Sequence, residues 1–597
     1  MCVTCIDTAQ NSPDSNPEIS AGVTGSVGSN AGSYSNDFLN GIIWGGGWTG
    51  DSSGTDIYYV VGDGHYGGQG WTSTQETAIH TAVSTFSAVC DVTFTEVTNG
   101  HANADIIFAT VGNATLPGSL GMHEVPNSSN SVGTAAQCFG LYNADLFNSN
   151  SDSFDQGGFD FITLIHELGH GMGLSHPHDS GGSSTVYSGV TSNFGSYGDN
   201  NQNQGVYTTM SYNDGNPVNF GSHSNQFYGY QATPMAFDIA ALQDLYGANN
   251  SYNTGNNTYT LATTNGANQG TYWSCIWDAG GTDTISNSGS SIACTINLNE
   301  APLTGANAGG FISSNSGIVG GFTIANGATI ENAIGGSGSD TITLNSANNE
   351  IDGNGGTDTV VFNDTKANVI SSFGFHHKNT SAIVIKGTYG TDTIVDCENI
   401  QFSDGTISVA DLKTQYASNY KPLFANSTTG EASYMMADTY SGSVSGVQWQ
   451  YLAQIGTDAN TVIGSTGNDF MNLLGGDDAA NGGAGDDILD GGRGSNFLTG
   501  GSGTDTFFLD GRGSSSVIWS TITDWDNSEK LSVWGWGSSS TISWEENQGA
   551  SGFEGATFSI DLNGNGVVDL KCTFTGLAVA DIKTPTEFES SSLLWFT

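Results

Sequence analysis

With 597 residues and a formal charge of −48, from 58 acidic side chains against 10 Lys and Arg, this chain is not built to seek nucleic acid or an anionic membrane surface. Its length calls for two to four domains, and 37% hydrophobic with 10% aromatic content belongs to a folded protein, not a disordered one. The 86 glycines are about twice the usual share, and together with so many carboxylates they call for bound cations. Every Lys and Arg lies at or after Lys366. Overall acidic adaptation is the favoured reading of that gap; the sharper one is a first half that offers no site to Lys/Arg-directed proteases. No run approaches 18 apolar residues, so no membrane span is expected. Met1 to Gln10 has neither a basic n-region nor an apolar h-region, so a cleaved secretory signal is not expected.

Residues 1–36, rich in Ser, Gly, Asn and Pro, read as a flexible leader. A first globular domain is expected over 37–248. In it, Asp56–Val61, Val92–Val97 and Ala104–Ala109 read as strands. Gln75 to Val89 sets Ala78, Ile79, Ala82, Val83 and Phe86 at helical spacing, as an amphipathic helix does. Ala236–Tyr246 reads as a closing helix stopped by Gly247.

The chemistry sits between those elements, at His166-Glu167-Leu-Gly-His170-Gly-Met-Gly173-Leu-Ser-His176. His166 and His170 are four apart and share one helix face, where two neutral imidazoles can bind one Zn²⁺. Gly173 lets the chain turn back and bring His176 as a third ligand, leaving a fourth position open, which is the catalytic arrangement. Glu167 is placed to take a proton from water and not to bind the metal. The full H-E-x-x-H-x-x-G-x-x-H pattern requires a Met-turn downstream, and Tyr207-Thr-Thr-Met210-Ser-Tyr212 supplies it.

After residue 249 the sequence becomes glycine, Asp, Asn and short β-branched runs. Gly335-Gly-Ser-Gly-Ser-Asp340-Thr-Ile-Thr fits the nine-residue calcium repeat G-G-x-G-x-D-x-U-x, and Gly353 to Val361 fits with Asn354 in place of one glycine. A second block from Val462 carries Asp469, Asp487, Asn496 and Asp505 at the repeat's acidic position. Such turns aim carbonyl and carboxylate oxygens inward at a hard cation that wants six or more of them. The expected parts are a first repeat block at 249–362, a β-rich connecting module at 363–445, a second repeat block at 446–510 and a β-rich cap at 511–597. Asp561 to Asp569 has calcium-loop flavour but lacks the EF-hand's closing Glu. Of eight cysteines, Cys275 with Cys294 is the first candidate disulfide and Cys90 with Cys138 the second. Cys2 and Cys5 read as an unpaired tail, with a latency-giving reach to the metal as the rival reading.

His166–Pro177, Thr209–Tyr212 and Thr233–Gly247 resemble the serralysins, secreted bacterial zinc endopeptidases of the metzincin clan. The likeness covers residues 37 to 360; beyond them it is a general likeness to calcium-repeat proteins. It implies a multidomain fold: an α+β metzincin catalytic domain, a parallel RTX β-roll, then further β-rich modules. It implies that Tyr212 is a further zinc ligand that swings away to stabilise the transition state, and that Met210 forms a floor beneath the metal. The strand at Ala104–Ala109 would be the edge that pairs an extended substrate. Structural calcium would be held at Asn253, Gly255, Asn257, Asp278, Gly280, Gly281, Asp283, Thr329, Glu331, Gly336, Gly338, Asp340, Asn354, Gly356 and Asp358, with Asp469, Asp487 and Asp505 added by the second block. A short propeptide, protein or peptide substrates, a monomer, and export by a type I secretion apparatus to the extracellular medium are also implied. The last residues, Leu593–Thr597, resemble the apolar end of such an export signal. The rival class is a non-enzymatic calcium-binding surface-layer or adhesive protein.

Overall fold

The computed structural model describes residues 26–29, 36–49, 55–62, 70–98, 104–126, 131–132, 135–136, 138–148, 150–221, 225–370, 372–375, 382–416, 424–425, 434–436, 451–454, 461–464, 468–473, 476–510, 516–588 and 593–596. Most of the leader, Cys2, Cys5, residues 465–467 and 474–475 of the second repeat block, much of 417–460, and Thr597 lie outside them. Two compact units form, one of residues 1–345 with 353–361, the other of 346–352 with 362–597.

The first unit pairs strand Ser26–Ser29 with Gly46–Thr49, and between them lies a short helix α1 (Asp37–Ile42) capped by the Asn36 side chain. A five-stranded sheet follows, built from β1 (Thr55–Val61), β2 (Val92–Glu96), β3 (Ile106–Val111), β4 (Gly121–His123) and β5 (Cys138–Asn143), in the order β2-β1-β3-β5-β4. All neighbours are parallel except β4, which runs antiparallel to β5. Helix α2 (Ser73–Val89) starts at a capping box in which Thr72 and Gln75 satisfy each other's backbone N–H, and it buries the predicted apolar stripe. Helix α3 (Phe159–Gly171) packs on β4 and β5, and α4 (Ala236–Tyr246) packs on α1 through a Phe38–Phe237 ring stack at 4.6 Å.

The strand expected at the sheet edge lies at its centre. Ile106–Val111 is the central strand, paired on both sides and buried at every position; the outer strands are Val92–Glu96 and Gly121–His123. An unbroken apolar run such as Ile-Ile-Phe-Ala-Thr-Val belongs where both faces are covered, which an edge strand does not offer. The disulfide expectations also fail. Cys90, Cys138, Cys275 and Cys294 are buried free thiols, as are Cys397 and Cys572. Cys90 turns its thiol to the Phe86 carbonyl at 3.3 Å, while Cys275 and Cys294 lie in different sheets.

Beyond Gly247 the first unit stacks short parallel strands. One ladder joins Thr258–Thr260, Thr284–Ser286 and Asn332–Ile334; another joins Cys294–Asn297, Thr341–Thr343 and Thr359–Val361. Their central residues Ile285, Ala333, Ile296, Ile342 and Val360 are fully buried. The second unit repeats the scheme at larger scale. Partner residues such as Phe470 with Ile488, and Ala479 with Phe497, are 18 apart, so each nine-residue repeat is half a turn. Met471, Ala480, Leu489, Leu498 and Phe507 form the narrow core between two such ladders. The cap continues both sheets, and its last strand, Leu593–Phe596, runs antiparallel to Lys530–Trp534 with Leu594 and Phe596 buried.

Candidate metal centre

Helix α3 is buried along its length from Asp160 to Gly171, so its histidines project into the protein interior. The helix stops at Met172, and Gly173 takes φ +93°, a region closed to most L-residues. A Cβ there would stand 2.3 Å from the Gly46 carbonyl oxygen, so the sharp return that carries His176 back requires glycine. After that turn the Nε2 atoms converge: His176 is 3.2 Å from His166 and 3.1 Å from His170.

The opposite ring nitrogens fix the tautomers. His166 Nδ1 donates to the Thr209 carbonyl at 2.9 Å and His170 Nδ1 to the Leu174 carbonyl at 2.9 Å. His176 Nδ1 donates to Asp179 Oδ2 at 3.0 Å. A carbonyl can only accept, so these protons sit on Nδ1 and the Nε2 lone pairs face inward. Burial holds His170 down to about 4, and His166 and His176 well below the usual imidazole range, so all three are neutral at physiological pH. Nitrogens sharing one tetrahedral Zn²⁺ at about 2.0–2.1 Å lie about 3.3 Å apart, and the observed separations fit that ion. The three histidines are thus a group that could hold a metal ion.

The Met-turn wraps beneath them. Met210 is fully buried, with its Sδ packed at Gly169 of α3. Tyr212 brings its ring centroid to 4.8 Å from His176 and 5.6 Å from His166. Glu167 is fully buried and faces β4: a Cβ on Gly121 would stand 2.6 to 2.8 Å from its side chain, so glycine there makes room for the carboxylate beside the sheet edge. A cleft opens at this point, lined by His166, Glu167, Tyr212, Ser211, Asp214, Phe159, Ile162 and Thr163.

Three supporting groups escaped the sequence reading. Asp238 on α4 accepts from Thr208 Oγ1 at 2.7 Å, Thr209 N at 2.6 Å and Met235 N at 2.8 Å, and so holds the turn whose Thr209 carbonyl orients His166. Burial pushes its carboxyl up to about 6. Asp179 orients His176, and His178 stacks on that ring at 4.7 Å and against Tyr212 at 4.4 Å. Asp238 carries a faint signal, as an acid in the first turn of a helix. Asp179 and His178 have only their nearness to His176.

The repeat residues gather as well. Asn257 N donates to Asp283 Oδ1 at 2.7 Å, Asp283 N to Glu331 Oε2 at 2.8 Å, and Gly280 N to Asp278 Oδ1 at 3.0 Å. Tyr259 links Asp278 to Asn253, whose backbone is left-handed at φ +50°. Gly281 passes next to the Gly255 carbonyl, and Thr329 lies exposed two residues before Glu331. In the next turn Gly336 N donates to Asp340 Oδ2 at 2.6 Å and Asp340 N to Asp358 Oδ1 at 2.8 Å. There Asn354 reaches the Gly335 carbonyl and Gly356 passes the Gly338 carbonyl. In the second unit Asp469 N donates to Asp487 Oδ1 at 2.7 Å and Asp487 N to Asp505 Oδ1 at 2.8 Å. The Oδ2 atoms of Asp283, Asp487 and Asp505 are buried with no hydrogen-bond partner. Buried carboxylate oxygens left this way fit a hard cation. The Asp561 loop differs, since four backbone N–H groups of residues 563–566 already satisfy that carboxylate.

The family model described as Peptidase M10 serralysin C terminal matches residues 237–533. The chain belongs to the serralysin family. A serralysin of Photorhabdus laumondii is 33% identical over 297 residues, 47% of this chain and 55% of that protein. Serralysin C of Dickeya chrysanthemi is 35% identical over 299 residues, again 47% and 55%. The metallopeptidase AprA of Pseudomonas marginalis is 32% identical over 281 residues, 45% and 54%. The chain therefore spans about half the length of the curated relatives it matches. The family-model match starts at Phe237, after the three histidines and the Met-turn.

Proposed function

We propose that this serralysin-family chain is a secreted, zinc-dependent endopeptidase that hydrolyses extracellular proteins, with calcium stabilising its repeats. The observation that carries this reading is the convergence of three neutral imidazoles, His176 Nε2 lying within 3.2 Å of both the His166 and His170 Nε2 atoms, beside a buried carboxylate on an open cleft. His166, His170 and His176 hold the Zn²⁺, which when bound acidifies water and polarises a peptide carbonyl. Glu167 accepts the proton of the attacking water and returns it to the leaving amine. Tyr212, a further zinc ligand at rest, donates its hydroxyl to the oxyanion, and Met210 supports the histidines from below. The outer strand β4, paired on one side only, offers its free edge to an extended substrate by β-augmentation.

The α+β part up to residue 248 is read as the metzincin domain and the parallel ladders as RTX β-rolls holding structural Ca²⁺. A chain that acts as a monomer and leaves the cell through a type I apparatus accords with this reading; among the described residues no helix is long and apolar enough to cross a membrane. The test is Glu167→Gln. Casein hydrolysis should fall by about 10²- to 10⁴-fold while zinc content stays at one per chain. Undiminished hydrolysis would remove Glu167 from its role.

A further inference from the structure

The cleft beside Glu167 is also the recess in which Phe159, Ile162 and Thr163 of α3 form one wall, and besides the reacting groups it presents the Thr163 and Ser211 hydroxyls and one charged group, the Asp214 carboxyl. Phe159 packs on Tyr230 at 5.3 Å, and Asp214 lies close enough to Tyr230 to disfavour ionisation of its hydroxyl. No Lys or Arg can answer this carboxyl from within, because residues 1–345 and 353–361 contain neither. An acid set among aromatic and aliphatic walls with no basic side chain of its own favours an incoming group with a long apolar stem and a cationic tip.

The same gap in the sequence supplies an independent observation. Acidic adaptation would deplete basic residues where acids are densest, and the distribution runs the other way. The 365 residues before Lys366 hold 31 acids, about one in twelve, with no Lys or Arg; the 232 from Lys366 onward hold 27, about one in nine, with all 10. Nearly all of the first 365 residues belong to the compact unit that carries the active site.

We propose that Asp214 makes this recess select a lysine or arginine side chain flanking the scissile bond, and that the lack of Lys and Arg before residue 366 protects the catalytic part from its own activity. The proposal rests on the peptidase reading and adds a substrate class to it. The head group pairs with Asp214 while its methylenes lie along Phe159 and Ile162.

The experiment compares two hexapeptides, Ala-Ala-Lys-Lys-Ala-Ala and its norleucine counterpart, which differ only in the two ammonium groups and cover both sides of the central bond. Calorimetry on full-length, zinc-loaded Glu167→Gln protein reads binding without turnover. The lysine peptide should bind at least tenfold tighter. Adding Asp214→Asn should cut the difference to under twofold, while Asp214→Glu should retain it. Equal binding of the two peptides, or a preference that survives Asp214→Asn, overturns the assignment. Wild-type protein that binds the lysine peptide selectively but never cuts it removes the peptidase reading and leaves the selectivity of the recess standing. Self-digestion of concentrated wild type, mapped by mass spectrometry, should cut only at residue 366 or beyond; cuts between 37 and 365 overturn the protection.

Discussion

The histidine cluster on α3 and the carboxylate ladders of the repeats both gather ligand atoms, but with opposite electrostatics. The imidazoles are neutral because they are buried, their outer nitrogens are satisfied by carbonyls and a carboxylate, and they sit about where a tetrahedral ion wants them. The ladders instead bury acids. Asp487 is pushed up to about 7, by desolvation first and then by its like-charged neighbours Asp469, Asp505 and Asp486. Asp283 is pushed up to about 6, again mainly by desolvation. A centre made of neutral donors can be assembled by the protein alone, whereas a stack of desolvated carboxylates needs its cation in order to be stable.

The largest effect should therefore come from calcium withdrawal. Hydrogen exchange of strands between residues 469 and 510 should rise by orders of magnitude in chelator, while α3 keeps its protection. Equal protection with and without calcium would erase the contrast. Acidity sharpens it. For Asp283 and Asp487 the folded-state value lies above the ordinary carboxylate value of about 4, so without cation their contribution favours folding below that value and is lost as pH rises through about 6 to 7. The calcium-free chain should gain stability from pH 8 to pH 5. With saturating calcium the slope should reverse, because protons then compete with the ion. Denaturant melts at both pH values decide it.

At the metal centre the effects are smaller but sharper. Gly121→Val drives a side chain into the Glu167 carboxylate and should lower kcat/KM by roughly 10²-fold, with zinc retained. Asp179→Ala removes the acceptor of His176 Nδ1 and should weaken zinc by about 10- to 100-fold in a competition titration. An unchanged zinc affinity would make Asp179 a bystander. Smallest of all, a reductant should leave the melting temperature where it is, because the six described cysteines are free and buried.

Local rules made much of this legible. The Thr72–Gln75 capping box and the apolar stripe of α2, the stop at Gly247, the metal motif and the nine-residue repeat are all patterns within one short window. What escaped depends on partners far along the chain. Asp238 grips a turn 29 residues upstream, and β4 is three residues long with no alternation to betray it. The apolar run at Ile106–Val111 looked strong enough to be any strand, yet its continuous burial marks the centre of a parallel sheet. An even number of cysteines says nothing about whether two sulfurs can meet.

The central claim is that His166, His170 and His176 together hold one metal ion with an open position. Zinc K-edge X-ray absorption on the purified full-length chain tests it most directly. The account predicts one zinc per chain with three imidazole nitrogens at about 2.0–2.1 Å and the rest of the shell oxygen. A sulfur shell, fewer than three imidazoles, or protein that holds no zinc would contradict it.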